Sequence, residues 1–232
     1  MKKLITTLLL IVGVCGFAKA EKIRNLLVAS DTVIWTGLDY SLASVIGRAG
    51  ANSTFAFAKE QTNFPAVYEK WNNLFLDERV NAVASALGKK IEVDINGVMD
   101  SNRKTFNSQL KFSTHISEET TAPNIPLIEI VNQVRSYKMD HTNGLGLVLI
   151  IDKLIEGSFY GHASKPSFGA VYVVFFDVAT REVISAEREV YTIQSAANFR
   201  NFWFGPIKDA DSSLIKFQPA KKPLVPITPR SR

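Results

Sequence analysis

Two apolar runs in the second half of the chain predict the centre of a β-sheet. They are Leu145–Ile151 and Ala170–Phe176, and neither contains a charged residue. Strands covered on both faces have this composition, because no position along them meets water. A turn follows at 177–182 and leads to a more polar strand, Val183–Tyr191, whose charges suit the edge of a sheet.

Shorter patterns predict further strands and a helical turn before residue 100. Ile91–Ile95 alternates apolar and polar residues, as a half-buried strand does. Ile23–Ala29 and Thr32–Trp35 have the composition of two short strands, and Asp39–Ile46 favours a helical turn.

Apolar positions at helical spacing predict three longer helices. Ala66–Leu87 follows Pro65 and stops at Gly88, and its apolar stripe shifts near Asp77, which predicts a break capped by that aspartate. Two later helices are expected at Pro126–Tyr137, with an apolar stripe of Leu127, Ile130, Val131 and Val134, and at Asn198–Leu214.

Two segments between these elements favour non-regular structure. Asn96-Gly97 has turn chemistry, because both residues tolerate positive φ. The polar stretch from Ser101 to Pro123 is expected to be irregular, with at most one edge strand.

The order of elements predicts one α/β domain of the α+β kind, covering residues 21–216. We expect a mixed β-sheet with the two apolar strands at its centre and helices packed on at least one face. Residues 217–232 form a basic segment with four prolines and no acidic residue. Such a tail favours extended, solvated chain and is expected to be disordered. The alternative is a tether to an acidic envelope surface or a partner domain.

The first twenty residues have the layout of a secretory signal peptide. Met1-Lys2-Lys3 is basic, Leu4–Phe17 is apolar, and Ala18-Lys19-Ala20 ends in the small-x-small pattern that precedes cleavage. We therefore expect an exported mature chain that begins at Glu21. The single cysteine, Cys15, lies inside this leader, so the mature chain has no thiol for a disulfide or a metal.

Lipidation at Cys15 is an alternative to soluble export, and it would leave peripheral membrane association possible. The residue before Cys15 is Val14, where a lipoprotein signal has a small residue, so soluble export is preferred.

Charge argues against a nucleic-acid partner. The whole chain has net charge +5, but loss of Lys2, Lys3 and Lys19 with the leader leaves 24 basic and 22 acidic residues, a net charge of +2. The remaining surplus lies in the tail, and we find no clustered basic face of the kind that binds a phosphate backbone.

Motifs for catalysis, metals and cofactors are absent from the sequence. The three histidines, His115, His141 and His162, have no ligand-like spacing, and no nucleophile elbow, dinucleotide fingerprint or phosphate loop occurs. We expect neither a metal nor a cofactor. The best acid–base candidate is the neighbouring pair Asp140 and His141, although a solvated turn is the preferred interpretation of these residues.

Two clusters of aromatic and polar residues are candidate binding sites. The first contains Asp31, Trp35, Asp39 and Tyr40, where rings could supply contact area and carboxylates direction for a sugar or a peptide. The second contains Arg200 and Trp203 within Asn198–Pro206. The structural alternative is that Trp35 faces the core, Asp39 caps a helix and the second cluster seals the end of the sheet.

The segment from Tyr172 to Phe204 resembles an exported bacterial family of uncharacterised proteins. The likeness rests on Tyr172–Val183, with its Phe-Phe-Asp strand end, and on Phe199-Arg200-Asn201-Phe202-Trp203, an Arg-Asn-aromatic-Trp segment that begins a last helix. The element order from Pro126 onward is similar to small α/β domains of the TolB amino-terminal and curli-assembly lipoprotein type. The resemblance implies an envelope accessory domain and supplies no catalytic residues.

Three functions follow as hypotheses. The first is a non-enzymatic envelope protein that binds an envelope protein, a peptide or a glycan. The second is a hydrolase of an envelope polymer that uses an Asp/His pair, and the third is an assembly subunit that pairs through a sheet edge. The sequence leaves the oligomeric state open.

Overall fold

A computed structural model describes Ile23 and residues 25–46, 64–107, 123–155, 167–193 and 199–218. The strands are β1 (Thr32–Asp39), β2 (Ser44–Ile46), β3 (Lys90–Val93), β4 (Leu145–Ile155), β5 (Ser167–Asp177) and β6 (Val183–Ile193). The helices are α1 (Phe64–Glu78), α2 (Val80–Leu87), α3 (Asn96–Asn107), α4 (Leu127–Ser136) and α5 (Phe199–Ser213), and a 3-10 turn follows at Leu214–Phe217. The predicted leader and residues 219–232 of the predicted tail lie outside the described residues.

The strands form one mixed sheet in the order β3-β1-β4-β5-β6. β1 pairs in parallel with both β3 and β4, and the short β2 pairs in parallel with the last residues of β4. β5 and β6 continue the sheet antiparallel. The mixed α/β fold is therefore confirmed, with β4 and β5 inside the sheet and the polar β6 at one edge.

Helices cover both faces of the sheet, each over its own apolar core. Alternate residues of a strand point to opposite faces, so Trp35 and Leu147 lie in one core while Ile34 and Val148 lie in the other. The first core includes residues of α1, α2, α5 and the 3-10 turn, and the second includes residues of α3 and α4.

Two local predictions before residue 50 are wrong. Residues 25–29 are helical rather than extended, with Ile23 and Leu27 buried one helical turn apart. Asp39–Ile46 is not a helical turn, because β1 continues to Asp39 and the chain then turns into β2. Both segments are too short for apolar periodicity to distinguish helix from strand.

The predicted break in the long helix exists, but Asp77 does not cap it. The break falls at Arg79, whose φ of −123° leaves the helical region, and no side chain caps α2. Backbone bonds from Arg79 N to Phe75 O (2.8 Å) and from Val83 N to Arg79 O (3.0 Å) carry the chain across it. Gly88 ends α2 in the left-handed conformation, as the sequence predicts.

Asn96-Gly97 begins α3 and is not a turn, which corrects a further prediction. The helix continues to Asn107, so the first part of the segment expected to be irregular is helical. A Cβ atom at Gly97 would lie 2.5 Å from the carbonyl oxygen of Lys138. The glycine is therefore required for close approach of the loop after α4.

Two boundaries also differ from expectation. Leu127, which we placed on the buried stripe of α4, is 57% exposed at the first turn, whereas Ile130 and Val134 are buried. Phe217, which we placed at the start of the tail, is buried in the core against Phe175. The folded domain therefore includes Phe217.

Candidate functional site

An imidazole between two carboxylates is the most concentrated group of ionisable side chains beside β3. His141, in the loop between α4 and β4, places Nδ1 3.0 Å from Asp94 Oδ2 and Nε2 3.2 Å from Glu92 Oε2. Glu92 lies on β3 and Asp94 directly follows that strand, continuing its ladder with a bond from Asp94 N to Trp35 O (2.9 Å). Alternation along the strand brings both carboxylates to the same side.

Asp94 is the anchor of this group. Its side chain is fully buried, and Oδ2 also accepts the backbone N–H groups of Asp140 (2.9 Å) and His141 (2.8 Å). Oδ1 is buried and has no hydrogen-bond partner in the described part of the chain. A buried carboxylate is costly unless donors surround it, so Asp94 holds the loop against β3.

The surrounding charges shift two pKa values. The hydrogen bond to Asp94 raises the pKa of His141, burial opposes it, and Glu92 adds to the rise. The pKa of Glu92 is lowered, first by the hydrogen bond from Lys90 and then by that from His141. Both shifts favour an imidazolium between two carboxylates.

This arrangement is not the acid–base pair that we considered from the sequence. The Asp140 carboxylate accepts a bond from Asn96 Nδ2 at 2.9 Å, and His141 turns to Asp94 and Glu92 instead. A general base needs a ring nitrogen with a free lone pair. Both nitrogens of His141 face carboxylate oxygens, so the protonated ring can donate to both.

The first aromatic cluster is dispersed along β1 and largely buried. Asp31 is exposed at the start of the strand, whereas Asp39 and Tyr40 are buried at its far end, about 26 Å away for eight extended residues. Trp35 is 1% exposed and stacks on Phe75 with ring centroids 4.4 Å apart. The rings of Trp35 and Tyr40 therefore pack inside the domain.

Asp39 joins three elements through hydrogen bonds. Its Oδ1 accepts the Ser41 N–H (2.7 Å), and its Oδ2 accepts Gln133 Nε2–H (2.7 Å) and the Tyr137 hydroxyl (2.5 Å). Gln133 lies on α4, and Tyr137 is the residue that ends this helix. Asp39 fastens α4 to the end of β1 and does not cap a helix.

Arg200 and Trp203 lie on α5, but their side chains are outside the described residues, as are His115 and His162.

A buried ion pair on the central strand was missed by the sequence reasoning. Arg188 Nε donates to Asp152 Oδ2 at 2.7 Å, and the Ile125 N–H donates to Asp152 Oδ1 at 3.2 Å. The pairing of β4 with β5 has a bulge between Ile151 and Lys153, so Lys153 reaches the segment before α4 as Asp152 does. Its Nζ donates to Asn124 Oδ1 at 2.8 Å. The available signal was Asp152-Lys153 itself, two charges that interrupt an apolar run which then resumes at Leu154.

The charges at this site are unequally hydrated. Asp152 is 1% exposed and Arg188 is 24% exposed. Burial lowers the pKa of Lys153, Asp152 partly offsets this, and Arg188 adds to it. The site lies near the carboxyl end of β4, and open α/β sheets bind ligands beyond the carboxyl ends of their parallel strands.

Exposed apolar side chains accompany the ion pair. Leu127 and Ile128 are 57% and 61% exposed on the first turn of α4, two and three residues after Ile125. We call Leu127, Ile128 and Arg188 the α4 surface, because Asp152 binds both the Arg188 guanidinium and the Ile125 N–H just before α4.

A separate surface cavity of about 200 Å³ opens elsewhere on the sheet. It is lined by Leu26, Ala29, Ser30, Gly144, Leu145, Asp177 and Ile184. Neither His141 nor Arg188 contributes to it.

In the described ranges, no three side chains are placed to hold a metal ion, and no helix is long and apolar enough to cross a bilayer. Comparison of the chain with models of protein families and with curated proteins found no match.

Proposed function

We propose that this chain is an exported, non-enzymatic accessory domain of the cell envelope that binds another envelope component. The observation that carries the non-enzymatic part is the engagement of both His141 ring nitrogens, 3.0 and 3.2 Å from carboxylate oxygens. Export rests on the basic, apolar and small-residue order of residues 1–20.

The α4 surface is the proposed binding face. Asp152 takes the Nε–H of Arg188, which fixes the guanidinium plane and leaves its Nη groups to bind a carboxylate. Leu127 and Ile128 offer exposed apolar area beside it. This combination favours a peptide segment of an envelope protein in which an acidic residue neighbours an apolar one.

A peptide is preferred to a glycan for a structural reason. Stacking on sugar rings needs an accessible aromatic face, and Trp35 and Tyr40, which suggested a glycan, are 1% and 0% exposed. The basic, proline-containing residues 219–232 are proposed to add electrostatic attraction to the same partner.

Site-directed photo-crosslinking in the native host tests the proposed face. A benzophenone amino acid at Ile128 should capture a discrete envelope protein, because this position lies inside the α4 surface. The matched control is the same probe at Val28, which is 62% exposed and whose neighbour Leu27 packs in the other core from Ile130 of α4. Equal capture at both positions, or at neither, would reject the face.

Fractionation of the same cells tests the compartment. We expect a periplasmic or outer-envelope species whose amino terminus is Glu21. An intact Met1 on a cytosolic species would remove export and with it the envelope partner.

A hydrolase is the second candidate, because His141 does have carboxylates within hydrogen-bond reach. It would require Glu92 to leave the ring when substrate arrives, so that Nε2 could accept a proton. Loss of a measured envelope-polymer hydrolysis in His141→Gln would support it, and equal activity would remove it.

Assembly through the edge strand β6 is less favoured on physical grounds. Glu187, Arg188 and Glu189 lie in a row at its middle, and charges of this kind oppose pairing between edges. A monomer in light scattering is therefore expected.

A further inference from the structure

We infer that His141 is a pH-dependent clasp between the α4–β4 loop and the edge strand β3, whose contact with Glu92 is closed only while the imidazole is protonated. This goes beyond the proposed function and requires no partner.

The geometry of the ring carries the inference. Asp94 Oδ2 and Glu92 Oε2 lie on opposite ring nitrogens, and both ionised carboxylates can only accept hydrogen bonds. A neutral imidazole has a single N–H, so it can satisfy one of them. The second contact then sets a lone pair against a carboxylate oxygen at 3.2 Å, which is repulsive.

Two carboxylates beside the ring favour its protonated form. β3 and the residue after it present Lys90, Glu92 and Asp94 to the ring, and Lys90 Nζ is bound to the other oxygen of Glu92 at 2.8 Å. The loop itself carries Lys138 and Asp140, and the Asp140 carboxylate is held by the neutral Asn96 at the start of α3. Beside the same loop, β1 places the apolar Ile34 beneath Gly144.

Burial decides which contact opens. Asp94 is fully buried and is also held by two backbone N–H groups of the loop, so its bond to Nδ1–H remains. Glu92 is 39% exposed and already bound to Lys90, so it can turn toward water at little cost. Deprotonation therefore yields the Nδ1–H tautomer and releases Glu92.

The sign of the pH dependence follows from the raised pKa of His141. The stability that the clasp adds is fully present below the unfolded-state pKa of about 6.5, provided that the carboxylates are ionised. It is lost as pH rises through the higher pKa of the folded state. At the acid end it is lost again as Glu92, whose pKa is lowered, becomes protonated.

Nitrogen-15 NMR of the imidazole tests the clasp in the full mature chain. Substituting His115→Gln and His162→Gln leaves His141 as the single imidazole, so its two ring nitrogens can be followed directly. We expect a pKa above that of a model peptide and, at high pH, a proton on Nδ1. A pKa at or below the model value, or a neutral form protonated on Nε2, overturns the inference.

Removal of the Glu92 charge tests whether the direct contact with Glu92, rather than the overall charge of the protein, raises the pKa of His141. Glu92→Gln should lower the pKa of His141 and leave the fold intact, because Glu92 is partly exposed. Glu182→Gln, an exposed carboxylate on the β5–β6 turn, is the matched control and should leave the pKa unchanged. If both variants shift the pKa equally, or neither does, Glu92 is not part of a clasp.

Discussion

The side-chain amides of Asn72 and Asn102 converge on one backbone carbonyl, that of Leu38, with Nδ2–O distances of 3.1 and 2.9 Å. Asn72 Oδ1 also accepts the Leu38 N–H (2.7 Å), and Asn102 Oδ1 accepts the Tyr40 N–H (2.7 Å). β3 pairs with Thr32–Trp35, and among the described residues no strand lies beside the remainder of this edge of β1. Two amides, one from α1 and one from α3, take the place of the missing strand.

Asn72→Ala should therefore be strongly destabilising. The substitution leaves the buried Leu38 N–H without an acceptor, which we expect to lower the free energy of unfolding by about 2 to 3 kcal/mol. Urea denaturation of the mature chain measures this. Asn73→Ala, at an exposed position of the same helix, is the matched control and should change stability by no more than about 0.5 kcal/mol. Equal effects of the two substitutions would show that the amide does not support β1.

Gly97→Ala tests the close approach of the α4–β4 loop to α3. Alanine is about 1 kcal/mol better than glycine inside a helix. The added Cβ would nevertheless meet Lys138 O at 2.5 Å, a backbone atom that cannot easily move. We expect a net loss of about 1 to 2 kcal/mol in unfolding free energy, typical of overpacking. Lys104→Ala, exposed on the same helix, should be nearly neutral, and a gain in stability from Gly97→Ala would contradict the packing argument.

Gly97 also shows which parts of the fold local patterns could predict. The apolar runs of β4 and β5, the burial of Ile130 and Val134 on α4 and the stop at Gly88 depend on burial or conformation within one element, and the structure agrees with them. The dipeptide Asn96-Gly97 is compatible with a turn, and it is equally compatible with a helix that must pass close to another segment. The deciding contact is with Lys138, 41 positions later, and nothing local encodes it.

The candidate site could not be predicted from the sequence, because its contacts also join residues that are distant in the chain. Glu92 and Asp94 precede His141 by 49 and 47 positions, and the β3–β1–β4 pairing brings them together with it. Adjacency in sequence pointed instead to Asp140 and His141, whose side chains separate in the fold. Asp152 and Arg188, 36 positions apart, could have been suspected only from charges within an apolar strand.

The ion pair of Asp152 and Arg188 should contribute more than the ion pairs at the surface. Asp152→Ala leaves a mostly buried guanidinium and the Ile125 N–H without their acceptor. Breaking a buried pair costs 3–5 kcal/mol, and partial exposure of Arg188 reduces this to about 2 to 4 kcal/mol here. Arg103→Ala breaks half-exposed pairs at 3.2 and 3.5 Å and should cost at most about 1 kcal/mol. Urea midpoints that rank these variants in the opposite order would refute the expectation.

The position of Phe217 makes the end of the domain testable. This ring is 1% exposed and packs edge-on against Phe175, with centroids 5.1 Å apart at 74°. A mature chain ending at Lys216 should lose about 3 kcal/mol or more of stability, as for other large-to-small changes in a core. A chain ending at Gln218 should unfold at the same urea concentration as the full mature chain. The shorter chain therefore cannot be used to test partner binding by the tail, whereas the longer one can.

The hydrogen bond from the Tyr137 hydroxyl to Asp39 predicts that the free energy of unfolding falls at alkaline pH. Burial is the main cause that raises the pKa of Tyr137 well above its ordinary value, and the nearby charge of Asp39 raises it further. Because the unfolded chain loses this proton near pH 10 and the folded chain does not, the stabilisation is present below about pH 10 and declines as pH rises above it. Tyr137→Phe removes both the titration and the 2.5 Å hydrogen bond to Asp39, so it should be less stable at pH 8 by about 1 to 2 kcal/mol. The difference between the two proteins should then narrow between pH 9 and about pH 11. Urea unfolding across this range measures it, and a gap that stays constant or widens would mean that Tyr137 ionises as readily folded as unfolded.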